Sequence, residues 1–318
     1  MQQMSINERK DIDDIIRNVG QIEVPEGKQI IDIVPSRFIT ESRTTEDPIG
    51  IFTSTLEAEL DVIIADKEVV KTIGLAMQRA GLMMDGIVVN GFAMKDIVLT
   101  DEEKENGVLL LDIGAGNVDI SVFKNNGIVY TDSIPVGGDT ITNDIAIGLE
   151  ISHQEADKLK RQYGLSKVKY IDNDYSITLA TYTGEEKTKT IKCSELVEII
   201  EARVEEIFTM IRAGLEDNKV TNIPMSCVIT GQGINSINKA EKTAEEILKY
   251  TVRYGTLKTA NLIKPDVAGA YGIVKYISNI KHSKNIGSRI QLIEEQTFLD
   301  NVLQSVKSLF GSKSKKIK

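Results

Sequence analysis

The N-terminal third of the chain alternates between helical and strand-like patterns of apolar residues. A first helix is indicated by apolar positions at helical spacing, namely Ile12, Ile15, Ile16 and Val19. Two runs rich in β-branched residues, 29–39 and 55–64, predict strands. Residues 67–81 return to a helical period, IVVN at 87–90 predicts a short buried strand, and FAMKDIVL at 92–99 predicts another helix. The mixture of strands and helices indicates an α/β fold.

The central segment has the clearest pattern in the chain. Residues 108–113 form a continuous apolar run, and 118–123 and 128–134 are strand-like. The last two runs are separated by Asn-Asn-Gly at 125–127, which tolerates the positive φ of a hairpin turn. A helix follows, with Ile141, Ile145 and Leu149 on one face. The predicted order is strand, glycine turn, strand, hairpin turn, strand, loop and helix.

The C-terminal third begins with a long amphipathic helix and ends in a polar segment. The helix spans 194–215 and its apolar face recurs every three or four residues. It is followed by the strand SCVIT at 226–230, the turn GQG at 231–233 and a further helix. HSKNIGSRIQ at 282–291 is polar and contains Gly and Ser, which is typical of a linker.

Composition narrows the class of protein. Of 318 residues, 41% are hydrophobic and 27% charged, values typical of a globular protein and unlike those of a disordered or multi-span membrane protein. The N-terminus lacks the apolar core of a signal peptide, so we expect a cytosolic location. The two cysteines fit a reducing compartment. With only two histidines as well, the chain has few ligands for a zinc site of the usual type. The net charge of −9 opposes binding to nucleic acid.

The end of the chain differs in charge from the rest. Residues 298–318 contain five lysines and one aspartate. Within them an apolar helical face is predicted, with a lysine beside it and Gly311 after it; the residues concerned are Phe298, Leu299, Val302, Leu303, Val306, Lys307, Leu309 and Phe310. We expect this segment to lie on an anionic membrane surface. The alternative is a helix that packs against the protein's own core.

Two glycine turns are candidates for binding an anion. DIGAGNVD at 112–119 places Gly114 and Gly116 between two strands, where backbone N–H groups can approach phosphate oxygens. Asp112 faces the same turn, and a carboxylate there is suited to Mg²⁺ bound through water. The alternative is a plain hairpin turn, since glycines are common in turns. GQG at 231–233 is expected to precede a helix directly, and so to offer a helix N-terminus.

Taken together and in order, these motifs resemble the FtsA family of bacterial cell division proteins, within the actin, Hsp70 and sugar kinase superfamily. The resemblance rests on VLLLDIGAGNVDISVF, IPVGGDTITNDIAIGL, IIEARVEEIF, VITGQG and VRYG, with EADKLKRQYG similar to a helix that approaches the nucleoside. It implies an actin-like fold of two ribonuclease-H-like halves with an inserted subdomain 1C. It also implies an ATP site with Mg²⁺, formed by Asp112, Gly114, Gly116, Asn117, Gly137, Gly138, Asp157, Lys160, Gly231, Gln232 and Gly233.

The resemblance also implies a division into subdomains. The boundaries are 1–65 for subdomain 1C, 66–105 for a remnant of 1A, 106–182 with 262–281 for 2A, 183–261 for 2B, 282–297 for a linker and 298–318 for the membrane tail. Three departures from the family pattern stand out: Asn117 and Val118 replace the usual threonines, Gln232 replaces a glycine, and no DxG turn precedes Ser5. The first half is therefore expected to be incomplete, and ATP binding weak.

The function implied is that of a cytoplasmic scaffold, at most a weak ATPase, which binds ATP, polymerises and ties FtsZ filaments to the membrane. Arg253 is the candidate contact for the acidic C-terminal peptide of FtsZ. Asp139 and Asp144 are interpreted as helix-capping and loop-bracing groups, and no residue is assigned a catalytic role. Within the superfamily, a sugar or acetate kinase, a pilus-assembly protein and a plasmid-segregation protein remain alternatives.

Overall fold

A computed structural model describes residues 4–5, 9–19, 22–84, 86–180, 188–223, 225–256 and 268–282. The predicted membrane tail and the linker beyond His282 lie outside these residues. The chain divides into two compact units, the first formed by residues 1–89 with 275–318 and the second by residues 90–274.

The first unit is built on a long antiparallel strand pair. β2 (Lys28–Thr40) lies between β3 (Thr44–Thr45) and β5 (Leu56–Asp66), and β1 (Met4–Ser5) pairs with β4 (Phe52–Thr53). The register between β2 and β5 shifts twice, once at Pro35, which has no N–H for the ladder. Two helices of the described residues lie wholly within this unit, α1 (Arg9–Val19) and α2 (Lys67–Arg79).

Both long strands and both helices of the first unit confirm the sequence predictions, but the strand predicted at 87–90 is wrong. Residues 86–89 form an irregular connection that leads into α3 (Asn90–Val98). An apolar run becomes a strand only where a neighbour completes its hydrogen-bond ladder. None of the strands that the structure describes pairs with these residues.

The second unit contains a five-stranded sheet in the order β12-β11-β6-β7-β8. Its strands are β6 (Val108–Ile113), β7 (Val118–Lys124), β8 (Gly127–Ile134), β11 (Ser226–Thr230) and β12 (Val252–Tyr254). β6, β11 and β12 are parallel, while β6, β7 and β8 form an antiparallel meander. The hairpin between β7 and β8 turns on Asn125 and Asn126, with φ of 50° and 63°. The predicted succession along the chain, from the strand at 108–113 through the hairpin to the helix at 138–149, is therefore confirmed.

Seven α-helices, α3 among them, and a hairpin accompany this sheet in the described part of the second unit. The remaining elements are α4 (Asp101–Asn106), α5 (Gly138–Leu149), α6 (His153–Tyr163), β9 (Ser176–Ala180), β10 (Thr188–Lys192), α7 (Cys193–Asp217), α8 (Ala240–Leu248) and α9 (Ala268–His282), which continues into the first unit. One face of the sheet joins α5, α6, α7 and α8 in a continuous buried core. The opposite face meets α3 so closely that a Cβ at Gly91 would lie 2.2 Å from Ser121 Oγ.

The sheet joins segments that the sequence boundaries assign to different subdomains. β6 to β8 lie within 106–182, whereas β11 and β12 lie within 183–261. Both sets form one hydrogen-bonded sheet, because β11 pairs with β6 along five residues. β11 and β12 therefore belong to the same sheet as β6 to β8, and the subdomain boundaries stay a prediction.

Candidate functional site

Three glycine-bearing segments meet at one end of the sheet of the second unit. The turn after β6 is closed by the Gly114 N–H, which donates to the Asn117 carbonyl at 2.9 Å. The start of α5 joins this turn, as Gly138 N–H donates to Gly114 O at 3.0 Å and Asp139 N–H to Ala115 O at 2.8 Å. The turn after β11 joins it too, through Gly233 N–H and Ile113 O at 2.8 Å.

Four of the glycines are required because backbone segments approach one another closely. A Cβ at Gly233 would lie 2.0 Å from Gly114 O, and one at Gly137 would lie 2.5 Å from Ala115 O. Gly138 would place a Cβ 2.5 Å from Gly233 Cα, and Gly231, at φ +91°, would place one 2.3 Å from Ile113 O. Real side chains cannot occupy such positions, so these glycines set the shape of the site.

Gly116 differs from these four glycines. Apart from Gly116 itself and its two chain neighbours, no atom of the described residues lies within 4 Å of the position that its Cβ would occupy, and its φ lies outside the left-handed range. The fold would therefore accept a side chain here. The missing side chain leaves the tip of the turn open to a ligand.

Two carboxylates lie directly opposite each other beside this turn. Asp112 on β6 is the register partner of Asp119 on β7. The side-chain amide of Asn90, at the start of α3, donates to both, at 2.5 Å to Asp112 Oδ2 and 3.0 Å to Asp119 Oδ2. Burial raises the pKa of Asp112, the hydrogen bond from Asn90 opposes this rise, and the charge of Asp119 adds to it. Asn90 thus holds together two groups that repel when ionised.

Asn117 continues this polar cluster towards the surface. Its side-chain amide donates to Asp119 Oδ1 at 2.7 Å, and the Ser133 hydroxyl donates to the same oxygen at 2.9 Å. The side chain of Asn117 is therefore used to brace the turn. Asn117 remains a candidate phosphate donor through its backbone.

Lys160 and Asp157 lie together on α6, but Lys160 points into the protein. Its ammonium donates to Gly138 O at 2.9 Å and to Thr142 Oγ1 at 2.6 Å, and it pairs with Asp157 at 3.3 Å. Lys160 is 4% exposed, and burial lowers its pKa although Asp157 opposes this shift. Asp157 also accepts from Arg161 at 2.7 Å. Burial works to raise the pKa of Asp157, but the hydrogen bond from Arg161 and the charge of Lys160 lower it overall.

The second glycine turn differs from its prediction. Gln232 is exposed, and the helix after the turn begins only at Ala240. The expectation that GQG offers a helix N-terminus is therefore wrong, because residues 234–239 form turns before α8 starts. The helix that begins at the site is α5, whose first residue is Gly138. Asp144, further along α5, pairs with Arg203 on α7 at 2.6 Å, consistent with the predicted bracing role.

Arg253 lies on β12, and its charge is already paired within the second unit. Its Nε donates to Glu103 Oε1 at 2.6 Å, and its Nη2 donates to Glu103 Oε2 at 2.5 Å and to Val98 O at 3.0 Å. Burial of Glu103 works to raise its pKa, but the bonds from Arg253 and from the Thr100 N–H lower it overall. A role for Arg253 in receiving an acidic peptide stays a prediction.

The described residues contain neither a metal-binding cluster nor a membrane-spanning helix. No cluster of three or more His, Cys, Asp or Glu side chains that could hold a metal occurs among them. None of the helices in the described ranges is both long and apolar enough to cross a bilayer. The segment predicted to bind the membrane lies outside those ranges.

Sequence reasoning missed three residues of the site. Asp119 could have been predicted from the hairpin. If Gly114 and Asn117 close the turn, Ile113 faces Val118 and Asp112 faces Asp119. Thr142 lies one helical turn after Gly138, which is a weaker signal. Asn90 is 22 residues from Asp112, and no local pattern indicates it.

Family comparison places the chain among cell division proteins. The model described as "Cell division protein FtsA" matches residues 109–272, and that of the "SHS2 domain inserted in FTSA" matches residues 3–64. The "Cell division protein FtsA" of Bacillus subtilis is 30% identical over 268 residues, covering 84% of this chain and 60% of the relative. That of Pseudomonas aeruginosa is 30% identical over 247 residues, covering 77% and 59%. The chain thus spans about three fifths of the length of these curated relatives.

Solved structures show the fold. A "PilM-PilN type IV pilus biogenesis complex" aligns with a TM-score of 0.53 at 18% identity, covering 87% of this chain and 75% of the other. MreB5 of Spiroplasma citri bound to ADP aligns with a TM-score of 0.50 at 17% identity, covering 69% and 66%. The predicted actin-like α/β fold is confirmed.

Proposed function

The chain belongs to the FtsA family, and from this premise we propose that it is an actin-like, nucleotide-binding scaffold that polymerises and ties FtsZ filaments to the cytoplasmic membrane. The structural likeness to PilM and MreB concerns the fold alone, so it does not favour a pilus or another filament system. The FtsA model matches residues 109–272, which include the glycine turns of the candidate site in the second unit.

The observation that carries nucleotide binding is the open turn at Gly116. At four neighbouring glycines, other backbone atoms occupy the space that a side chain would need, whereas the corresponding space at Gly116 is open. A turn of backbone N–H groups beside the start of α5 suits phosphate oxygens. The crystal structure of MreB5, which shares the fold, is of that protein bound to ADP. The residues present therefore fit the phosphates of ATP, and Asp112 would hold Mg²⁺ through water.

Calorimetry with Mg-ATP, carried to millimolar nucleotide, tests this site. Gly116→Val should lower ATP affinity at least tenfold, because the side chain fills the space that a phosphate needs. Gly214→Ala is the matched control, since its Cβ would meet only Tyr130 Oη at 3.8 Å. If Gly116→Val binds ATP as wild type does, the phosphates lie elsewhere. Asp112→Ala should weaken Mg²⁺-dependent binding more than Asp139→Ala.

The proposed FtsZ contact is tested by releasing Arg253 from its partner. If Arg253 receives the acidic peptide, Glu103→Gln should strengthen peptide binding, because the guanidinium is then no longer neutralised. Arg253→Gln should weaken it. Fluorescence anisotropy of a labelled FtsZ C-terminal peptide measures both. Equal affinity of wild type and both variants would remove Arg253 from the interface.

The proposed membrane contact is tested with anionic vesicles. Leu303→Asp and Gln304→Asp add the same charge to neighbouring positions, but only Leu303 belongs to the predicted apolar face. Co-sedimentation should fall strongly for Leu303→Asp and slightly for Gln304→Asp, and removal of 298–318 should abolish it. Polymerisation would strengthen attachment by presenting many tails at once. Pelleting that survives the truncation would place the anchor elsewhere.

A further inference from the structure

We propose that Lys160 is a positioning residue for the phosphate side of the nucleotide site, acting through the backbone of Gly138 rather than by contact with the nucleoside. This inference rests on the proposed nucleotide-binding function. It departs from the role that the family resemblance implies, in which the lysine of this helix approaches the nucleoside.

The direction of the Lys160 side chain is the first step. Its ammonium lies between Gly138 O, Thr142 Oγ1 and Asp157, at 2.9, 2.6 and 3.3 Å. Its side chain is 5% exposed. Three partners at these distances use the three N–H donors of an ammonium. Little of the group remains free to contact a nucleoside.

The second step is the position of Gly138 itself. Its carbonyl accepts from Lys160 and also from Thr142 Oγ1 at 3.1 Å, while its N–H donates to Gly114 O. The ammonium is therefore two hydrogen bonds away from the open glycine turn. Removing it releases the start of α5, and with it the support for Gly114 and Ala115.

The third step is electrostatic. A buried cation beside the first turn of α5 adds to the partial positive charge of that helix end. Asp157 shares its charge between Lys160 and Arg161, and Asp139 in the first turn of α5 adds a second negative charge near the ammonium. A cation held at this helix end favours an anionic phosphate at the neighbouring turn and has no such effect on an uncharged nucleoside.

The test compares ATP with adenosine for binding to wild type, Lys160→Met, Lys160→Gln and the control Lys158→Met. Lys158 lies on the same helix and its side chain is 64% exposed. For Lys160→Met we expect at least a tenfold loss of ATP affinity and less than a twofold change for adenosine. Lys158→Met should leave both unchanged. An equal loss of affinity for ATP and adenosine would indicate that Lys160 contacts the nucleoside, and would overturn the proposal. Unchanged ATP affinity in Lys160→Met would also overturn it.

A second readout does not need nucleotide. Hydrogen exchange measured by mass spectrometry on peptides covering 137–142 reports on the Gly138 and Asp139 amides. Lys160→Gln keeps a hydrogen-bond donor for Gly138 O, so it provides a second variant in case Lys160→Met does not fold. Exchange should accelerate at least tenfold in Lys160→Met, less in Lys160→Gln, and not in Lys158→Met. If wild type binds neither ligand, the proposed function fails, whereas unchanged exchange in Lys160→Met would overturn the positioning role itself.

Discussion

The sheets of the two units are buried to different extents. In the second unit, Leu109, Leu111 and Ile113 on β6 are fully buried, and α3 covers the opposite face. In the first unit, most residues of β2 and β5 are half-buried, and Ile64 on β5 is 41% exposed. Since burial of apolar surface provides most of the stability, the second unit should be the more stable.

The difference also explains where the candidate site lies. It is formed at the carboxyl ends of β6 and β11, the position where open α/β sheets commonly bind ligands. A precise backbone geometry there depends on strands fixed from both sides. The half-buried strand pair of the first unit offers no comparable support.

We expect the largest difference in stability when the same Leu→Ala substitution is made in the sheet of each unit. Leu111→Ala should lower the free energy of unfolding by about 3 to 5 kcal/mol, because it leaves a cavity in a dense core. Leu60→Ala on half-buried β5 should lower it by about 1 to 2 kcal/mol. Urea denaturation combined with hydrogen exchange, which reports on each unit separately, measures both. Equal losses would contradict the comparison.

Glycines provide a second comparison, because a glycine of the second unit is needed for close backbone packing and one of the first unit only for its positive φ. Gly233→Ala should cost about 3 kcal/mol, since its Cβ would meet the Gly114 carbonyl at 2.0 Å. Gly50 has a φ of +82° but nothing of the described structure within 4 Å of its Cβ position. Gly50→Ala should therefore cost only the strain of a left-handed residue, about 1 to 2 kcal/mol. Thermal unfolding ranks the two, and a reversed order would contradict the packing role of Gly233.

The main strands and helices of both units could be predicted from hydrophobic period, whereas most residue contacts at the site could not. β6 to β8 and α7 follow from apolar runs and helical spacing, because local pattern and burial agree there. The failure at 87–90 has a physical cause, since a strand depends on a partner that its own residues do not specify. Asn90 and the inward direction of Lys160 depend on contacts across 22 and 18 residues or more, which no local pattern encodes.

Buried polar contacts give the next smaller effect. Asn90→Ala should cost about 2 kcal/mol, because it leaves two carboxylates facing each other without a shared donor. Asn90→Asp should cost more, since it adds a third carboxylate. In the first unit, Ser36 Oγ donates to Glu59 O at 3.0 Å, and Ser36→Ala should cost about 1 kcal/mol. Urea denaturation measures all three, and a stable Asn90→Asp variant would argue against charge repulsion at the site.

Among the described residues, each unit contains a bidentate Arg–Glu pair, and we expect the smallest effects on stability from these pairs. Glu103 in the second unit is 16% exposed and binds Arg253, whereas Glu59 in the first is 48% exposed and binds Arg37 at 2.6 and 2.8 Å. Glu103→Gln keeps the capping box with Thr100. At pH 7 it should cost about 1 to 2 kcal/mol, and Glu59→Gln only a few tenths, because solvent screens the exposed pair.

The pH dependence of these two pairs tests the same contrast. The pKa of Glu59 is lowered chiefly by the hydrogen bond from Arg37, and that of Glu103 is also below its ordinary value of 4.5. A lowered folded pKa means that the unfolded state takes up protons first as the pH falls, so the stabilisation present above pH 4.5 is lost below it. Urea denaturation between pH 7 and about pH 3 should therefore show the gap between wild type and Glu103→Gln closing with acid. The gap for Glu59→Gln should be small throughout, and a Glu103→Gln gap that is constant with pH would show that the charge of Glu103 does not stabilise the second unit.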